Sequence, residues 1–140
     1  MGKKFENNKY KIEYFPNEKV VDIFMKDEEI EKIDVIEMHA HVLELTGKEK
    51  YAILFHAKDF FSLSSEAREE GTKSHYSDNV IAQAFLVKNF AQRLIGNFII
   101  NFNRPHTDTR MFSSYDEAKL WLSAKIGSYT KKKSTKLINV

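Results

Sequence analysis

The chain has 140 residues, 42% of them hydrophobic and 30% charged, with 22 basic against 20 acidic side chains. That is the length of one domain able to build its own core, and the near-balance of charge argues against a nucleic-acid-binding body. The lack of cysteine excludes disulfides, cysteine nucleophiles and thiolate metal sites and fits a reducing cytoplasm, while no apolar run approaches the roughly 20 residues that span a bilayer.

The first residues, Met1 to Glu6, carry lysines with no apolar stretch behind them, so no signal peptide is expected. Tyr10, Ile12 and Tyr14 alternate with Lys11 and Glu13, the period of a half-buried strand. Phe15-Pro16-Asn17-Glu18 supplies turn chemistry, and Val20 to Met25 reads as the second arm of a hairpin. Asp27 is placed to cap the next element, with Glu28 and Glu29 in its first turn. Ile30, Ile33, Ile36, Ala40 and Leu43 then give the apolar stripe of an amphipathic helix, with Glu31, Asp34 and Glu37 opposite and Gly47 at its end. Tyr51 to Ala57 is a short continuous apolar run, the pattern of a central strand covered on both faces.

Three serines, Ser62, Ser64 and Ser65, follow that strand and open a polar helical segment to about His75, whose weak apolar stripe is Leu63, Ala67 and Gly71. Ser62 or Ser64 is read as its N-cap. Val80 to Val87 is another apolar strand, and Phe90, Leu94 and Phe98 belong to an apolar helix that ends before Pro105. Thr107 to Phe112 reads as the last strand. Ser114-Tyr115-Asp116-Glu117 is a capping box for a final helix ending near Gly127. Residues 128–140 are expected to form a flexible basic tail, dispensable for stability, after a single domain at 1–127; only a large loss of stability on its deletion would show Leu137 and Ile138 docking on the body, as across a homodimer interface. The order β-β-α-β-α-β-α-β-α implies an α/β fold: a mixed, mostly parallel sheet of about five strands with four helices.

Chemistry is sparse. His39 and His41 are two apart on a helix and point in different directions, and no HExxH pattern exists, so no metal site is expected. Neither GxGxxG nor GxxxxGK[ST] occurs, nor a GxSxG elbow, and no cofactor or enzymatic reaction is expected. Arg104, beside Pro105, is a candidate anion contact, although a cation there also complements the negative end of the preceding helix.

Val80-Ile81-Ala82-Gln83-Ala84-Phe85-Leu86-Val87, the apolar helix after it, Asn103-Arg104-Pro105 and the run from Arg110 to Leu122 with its Ala-x-x-Trp-Leu together resemble the small bacterial SpoIIAA-like proteins of the STAS/SEC14-like group. The resemblance implies a STAS-type sheet and a non-enzymatic regulatory module that binds another protein. It also implies a switch at the loop after the third strand of the domain, where such proteins carry a phosphorylated serine. Ser62, Ser64 and Ser65 occupy that region as candidate phosphoacceptor or interaction residues. Here Asp59 is separated from Ser62 by Phe60 and Phe61, and no glycine follows the serines as in the family's motif. The SEC14 side implies a different role, that of a small carrier with a lipid or other apolar ligand held between helices and sheet. Neither reading involves nucleic acid or insertion into a membrane.

Overall fold

The computed structural model describes residues 2–103 and 106–138, with side chains except at 98, 99, 102, 103 and 134–138. Among the described residues, eight strands and four helices follow in the order β1 (Lys3–Glu6), β2 (Tyr10–Phe15), β3 (Val20–Met25), β4 (Glu29–Ile30), α1 (Lys32–Thr46), β5 (Tyr51–Ala57), β6 (Ser62–Leu63), α2 (Ser65–Gly71), β7 (Val80–Leu86), α3 (Phe90–Asn103), β8 (Asp108–Phe112) and α4 (Tyr115–Ile138). A single 3-10 turn, Ser74–Ser77, separates α2 from β7.

Six strands form the main sheet in the order β1-β2-β3-β5-β7-β8. The first three are antiparallel and the remaining pairings are parallel. From β3 onward the strands step in one direction, so right-handed crossovers carry α1, α2 and α3 to the same face. The alternation of the strands accounts for both cores. Tyr10, Ile12, Val21, Ile23, Tyr51 and Ile53 face α1 and α2, whereas Ala52, Leu54, Ala82 and Ala84 face Ala118 and Leu122 of α4. The mixed, mostly parallel sheet with four helices agrees with the expected fold class. The sixth strand is β1, whose charged sequence shows no strand signal and which pairs with β2 through its backbone.

Three details differ from the sequence reading. Asp27 does not cap α1: its carboxylate accepts the Phe60 backbone N–H at 3.0 Å, and the helix starts five residues later. The face of α1 is also turned. Asp34 is buried while Ile33 and Ile36 are 53% and 40% exposed, because Val35, Met38, Val42 and Leu45 take the core side. Finally, α4 does not end at Gly127 but continues to Ile138. One glycine in a helix interior costs only about 1 kcal/mol, which the lysines beyond it, good helix formers, tolerate.

One irregularity shapes the α1–α2–α3 side of the sheet. Tyr51 pairs with Val80, but Ile53 pairs with Gln83, so β7 carries one extra residue there. The bulge turns Ile81 and Ala82 toward α4 and sets Gln83 beside Ile53 on the other face.

Candidate functional site

The α1–α2–α3 face is not filled. α1 packs over β1 and β2, α3 packs over β8, and the short α2 leans on α1. A cavity of about 180 Å³ remains above β3, β5 and β7. Phe55 and Phe85, stacked at 4.5 Å and 6° on neighbouring strands, form part of its floor. Met38 and Val42 of α1, Ala67 and Gly71 of α2, and Ile95 and Gly96 of α3 line its walls. α3 approaches β8 closely at Gly96, where a Cβ would meet the Met111 thioether and force that side chain to move. The stripe Leu63, Ala67 and Gly71 is therefore the inward side of α2, and this helix contributes more to the interior than its polar sequence suggests.

The cavity runs along the parallel strands between two polar ends. Beyond the C-terminal ends of the strands, Gln92 fixes the start of α3. Its side chain accepts from the Lys88 N–H at 2.7 Å and donates to the Lys58 carbonyl at 2.9 Å, while Asn89 caps the helix by accepting the Gln92 N–H. All of Gln92's polar groups are thus committed to structure.

The opposite end is built by His39, Tyr76, Thr72 and Ser77, all of which line the cavity. The His39 ring meets Tyr76 edge-on at 4.8 Å, and His75 packs on Tyr76 at 4.0 Å. The Tyr76 hydroxyl donates to Glu70, a buried carboxylate that also pairs with Lys73 at 2.9 Å. These two donors, Tyr76 first, hold the Glu70 carboxyl below the usual carboxylate range. Burial, reinforced by that carboxylate, pushes the Tyr76 hydroxyl up. Burial and then the neighbouring His75 lower His39, with Asp78 opposing, which favours the neutral imidazole. On the floor, Gln83 donates to Thr109 at 3.0 Å, and Thr109 donates in turn to the Thr107 carbonyl.

The serines separate into three roles. Ser62 lies in β6, which pairs with β4, its N–H donating to the Glu28 carbonyl at 3.3 Å. Ser64 is the cap of α2: its hydroxyl accepts the Ala67 N–H at 3.1 Å. Ser65 is the first helical residue and is exposed. Only Ser65 therefore combines exposure with a side chain outside the cap, beside Glu66 and Glu69. We expect Ser64→Ala to lower stability by about 1 kcal/mol and Ser62→Ala by less than about 0.5 kcal/mol, read by chemical denaturation. The reverse order would place the cap elsewhere. Arg104, the candidate anion contact, lies outside the described residues.

The other histidines stay apart, as their spacing implies. His41 stacks on Phe5 at 3.6 Å. His56 stacks on Phe24 on the α4 face, 3.8 Å from the buried Asp22. Among the described residues no group of three metal-ligating side chains converges, and no helix is long and apolar enough to cross a membrane.

Residues 13–125 match the family model described as Domain of unknown function (DUF7793). The chain belongs to the DUF7793 family. No curated protein matches it. A solved structure similar to this DUF7793 chain is that of an uncharacterized protein from the DUF3478 family, with a SpoIIAA-like fold, from Shewanella loihica PV-4. It is 11% identical with a TM-score of 0.54, and the alignment covers 87% of this chain and 92% of that one. The DUF7793 chain thus has a SpoIIAA-like fold, as the resemblance in its last third implied.

Proposed function

We propose that the chain is a non-enzymatic binding module that holds an apolar ligand, or an apolar group of a larger one, between its helices and its sheet. The observation that carries this reading is the cavity of about 180 Å³ between three helices and the central strands. A dry engineered cavity of about 150 Å³ in another protein takes up benzene, so this volume suits one or two rings or a short chain. It is below the roughly 300 Å³ at which drug-sized pockets begin. The position favours recognition over reaction: the Glu70 carboxylate is spent on Tyr76 and Lys73.

Naphthalene, followed by its fluorescence or by protein NMR shifts, tests the reading. It should bind saturably at one site. Ala57 lines the cavity on the same strand face as Ile53 and Phe55, so Ala57→Phe should weaken that binding by about tenfold or more, the steric cost of a filled site. No saturable binding by the unaltered chain would sink the proposal.

A second reading, a cytoplasmic regulatory module that binds another protein, is favoured by the exposed Phe60 at 81% and Phe90 at 74%, and by Ile33 and Ile36 on α1. Its switch would be the Ser62–Ser65 segment, with Ser65 as the accessible hydroxyl. Phosphopeptide mass spectrometry on protein from its native cells decides that point: serines unmodified under all growth conditions would remove the switch.

A further inference from the structure

The polar end of the cavity restricts what an occupant can be, provided the cavity is a ligand site as proposed above. We infer that the ligand is amphipathic, with an apolar body over Phe55 and Phe85 and an uncharged hydrogen-bonding head, a hydroxyl or a carbonyl, against His39 and Tyr76.

The apolar body is dictated by the floor and walls already described. The head is dictated by the capacities still open at that end. A neutral imidazole offers one donor and one acceptor. The Tyr76 hydroxyl has given its proton to Glu70, and the Thr72 hydroxyl has given its proton to the Glu69 carbonyl at 2.7 Å. Both oxygens still accept. A head group that can donate, accept or do both is thereby matched without any ionised partner.

The charges around His39 are already balanced locally. Facing it are His75 and Tyr76 from the 3-10 turn and Asp78 just beyond that turn. Behind Tyr76 stand Glu70 and Lys73, paired at 2.9 Å, with Lys32 of α1 also acting on Glu70. Arg68, at the cavity wall, points its guanidinium at the Leu63 carbonyl at 3.3–3.4 Å. A carboxylate head would be desolvated beside Glu70 and Asp78, and an ammonium head would compete with Lys73 for Glu70. An uncharged head meets neither cost.

Acid should oppose the binding of such a head. Closing the cavity over a neutral group removes water from His39, which favours neutral imidazole still further, so binding weakens as acidification protonates the ring. A carboxylate would behave in the opposite sense, because an imidazolium would attract it.

The test compares 2-naphthol with 2-naphthoate, 2-naphthylmethylammonium and naphthalene on the unaltered chain and on His39→Phe and His39→Gln. The neutral alcohol should bind about tenfold tighter than either ion and several-fold tighter than naphthalene, the worth of one or two neutral hydrogen bonds. His39→Phe should remove the preference over naphthalene while naphthalene itself still binds. His39→Gln, which keeps an uncharged donor and acceptor, should retain the preference and lose the acid dependence. The His39 ring resonances in NMR should titrate at lower pH with 2-naphthol bound. If naphthalene binds but the naphthoate or the ammonium matches or exceeds the alcohol, or if acid strengthens alcohol binding, the head assignment is wrong while the apolar site stands. If none of the four binds, the site itself fails.

Discussion

Leu122→Ala should lower stability by about 3–4 kcal/mol, the middle of the range for a leucine deleted from a packed core. For a chain this long that is a fall in Tm of roughly 12 °C. Leu122 is fully buried among Ala52, Leu54, Ala82, Ala84 and Ala118, and the four alanines have no reach to close the void. The control is two positions away: Leu120 is 72% exposed, and Leu120→Ala should change stability by less than about 0.5 kcal/mol. Calorimetry of both variants checks the pair. Equal losses would mean that α4 is rotated from the orientation its Ser114 cap imposes, where the Ser114 hydroxyl accepts the Glu117 N–H at 3.3 Å.

The second large effect belongs to Asp34. Its carboxylate accepts the Glu31 N–H at 2.8 Å, which holds the first turn of α1, and also the Lys9 ammonium at 2.8 Å, which ties that helix to the β1–β2 turn. Asp34→Ala deletes both, and the expected loss is about 2–3 kcal/mol, a capping bond plus a partly shielded charged one. Asp34→Asn, which keeps an acceptor for the cap, should lose less. The variant should also alter the alkaline limb of stability. The hydrogen bond to Asp34 raises Lys9 above its ordinary value, with Asp34's charge adding to it. A raised lysine contributes fully below its unfolded pKa and loses that contribution as pH rises through the folded one. Burial also raises Tyr10, Tyr14 and Tyr51, the last to about 12, and these too lose stability at high pH because the folded state resists their ionisation. Asp34→Ala should therefore narrow the alkaline loss without abolishing it. Denaturation midpoints from neutral pH to about pH 11 measure this; an unchanged slope would show that Lys9 contributes nothing through Asp34.

Asp34 also shows where reading the residues alone succeeds and where it fails. The β2–β3 hairpin, β5 and β7 were legible because two-residue alternation, or a short unbroken apolar run, fits little besides a strand. The face of α1 was not, since Ile33 and Ile36 outweigh Val35 and Met38 in any stripe drawn by hydropathy. The face that is turned inward buries Val35, Met38, Val42 and Leu45 and brings Asp34 to Lys9, a residue 25 away that no local stripe includes. β1 escaped because Lys3, Lys4 and Glu6 carry no apolar pattern, and β4 and β6 are two residues each. The serine cap was narrowed to Ser62 or Ser64, and geometry chose Ser64. The stripe Leu63, Ala67 and Gly71 marks the inward side of α2, but nothing along the chain marks the cavity, whose size depends on how far apart α1 and α3 sit. The cluster of His39, Glu70 and Tyr76 draws on three elements, so no spacing along the chain marks it. Gln83, an amide inside an otherwise apolar strand, is a signal of a polar partner in the sheet, and that partner is Thr109 of β8.

The strand order of the main sheet has a consequence for synthesis. Because each main-sheet strand pairs with the one made just before it, a chain emerging from the ribosome can extend its sheet at one growing edge and never holds a strand in reserve for a later partner. The face that waits is the other one. Ala52, Leu54, Ala82 and Ala84 stay bare until Ala118 and Leu122 have been made. Ile81, Leu86 and Phe112 share that cluster, so the nascent sheet keeps an adhesive apolar surface until the last helix covers it.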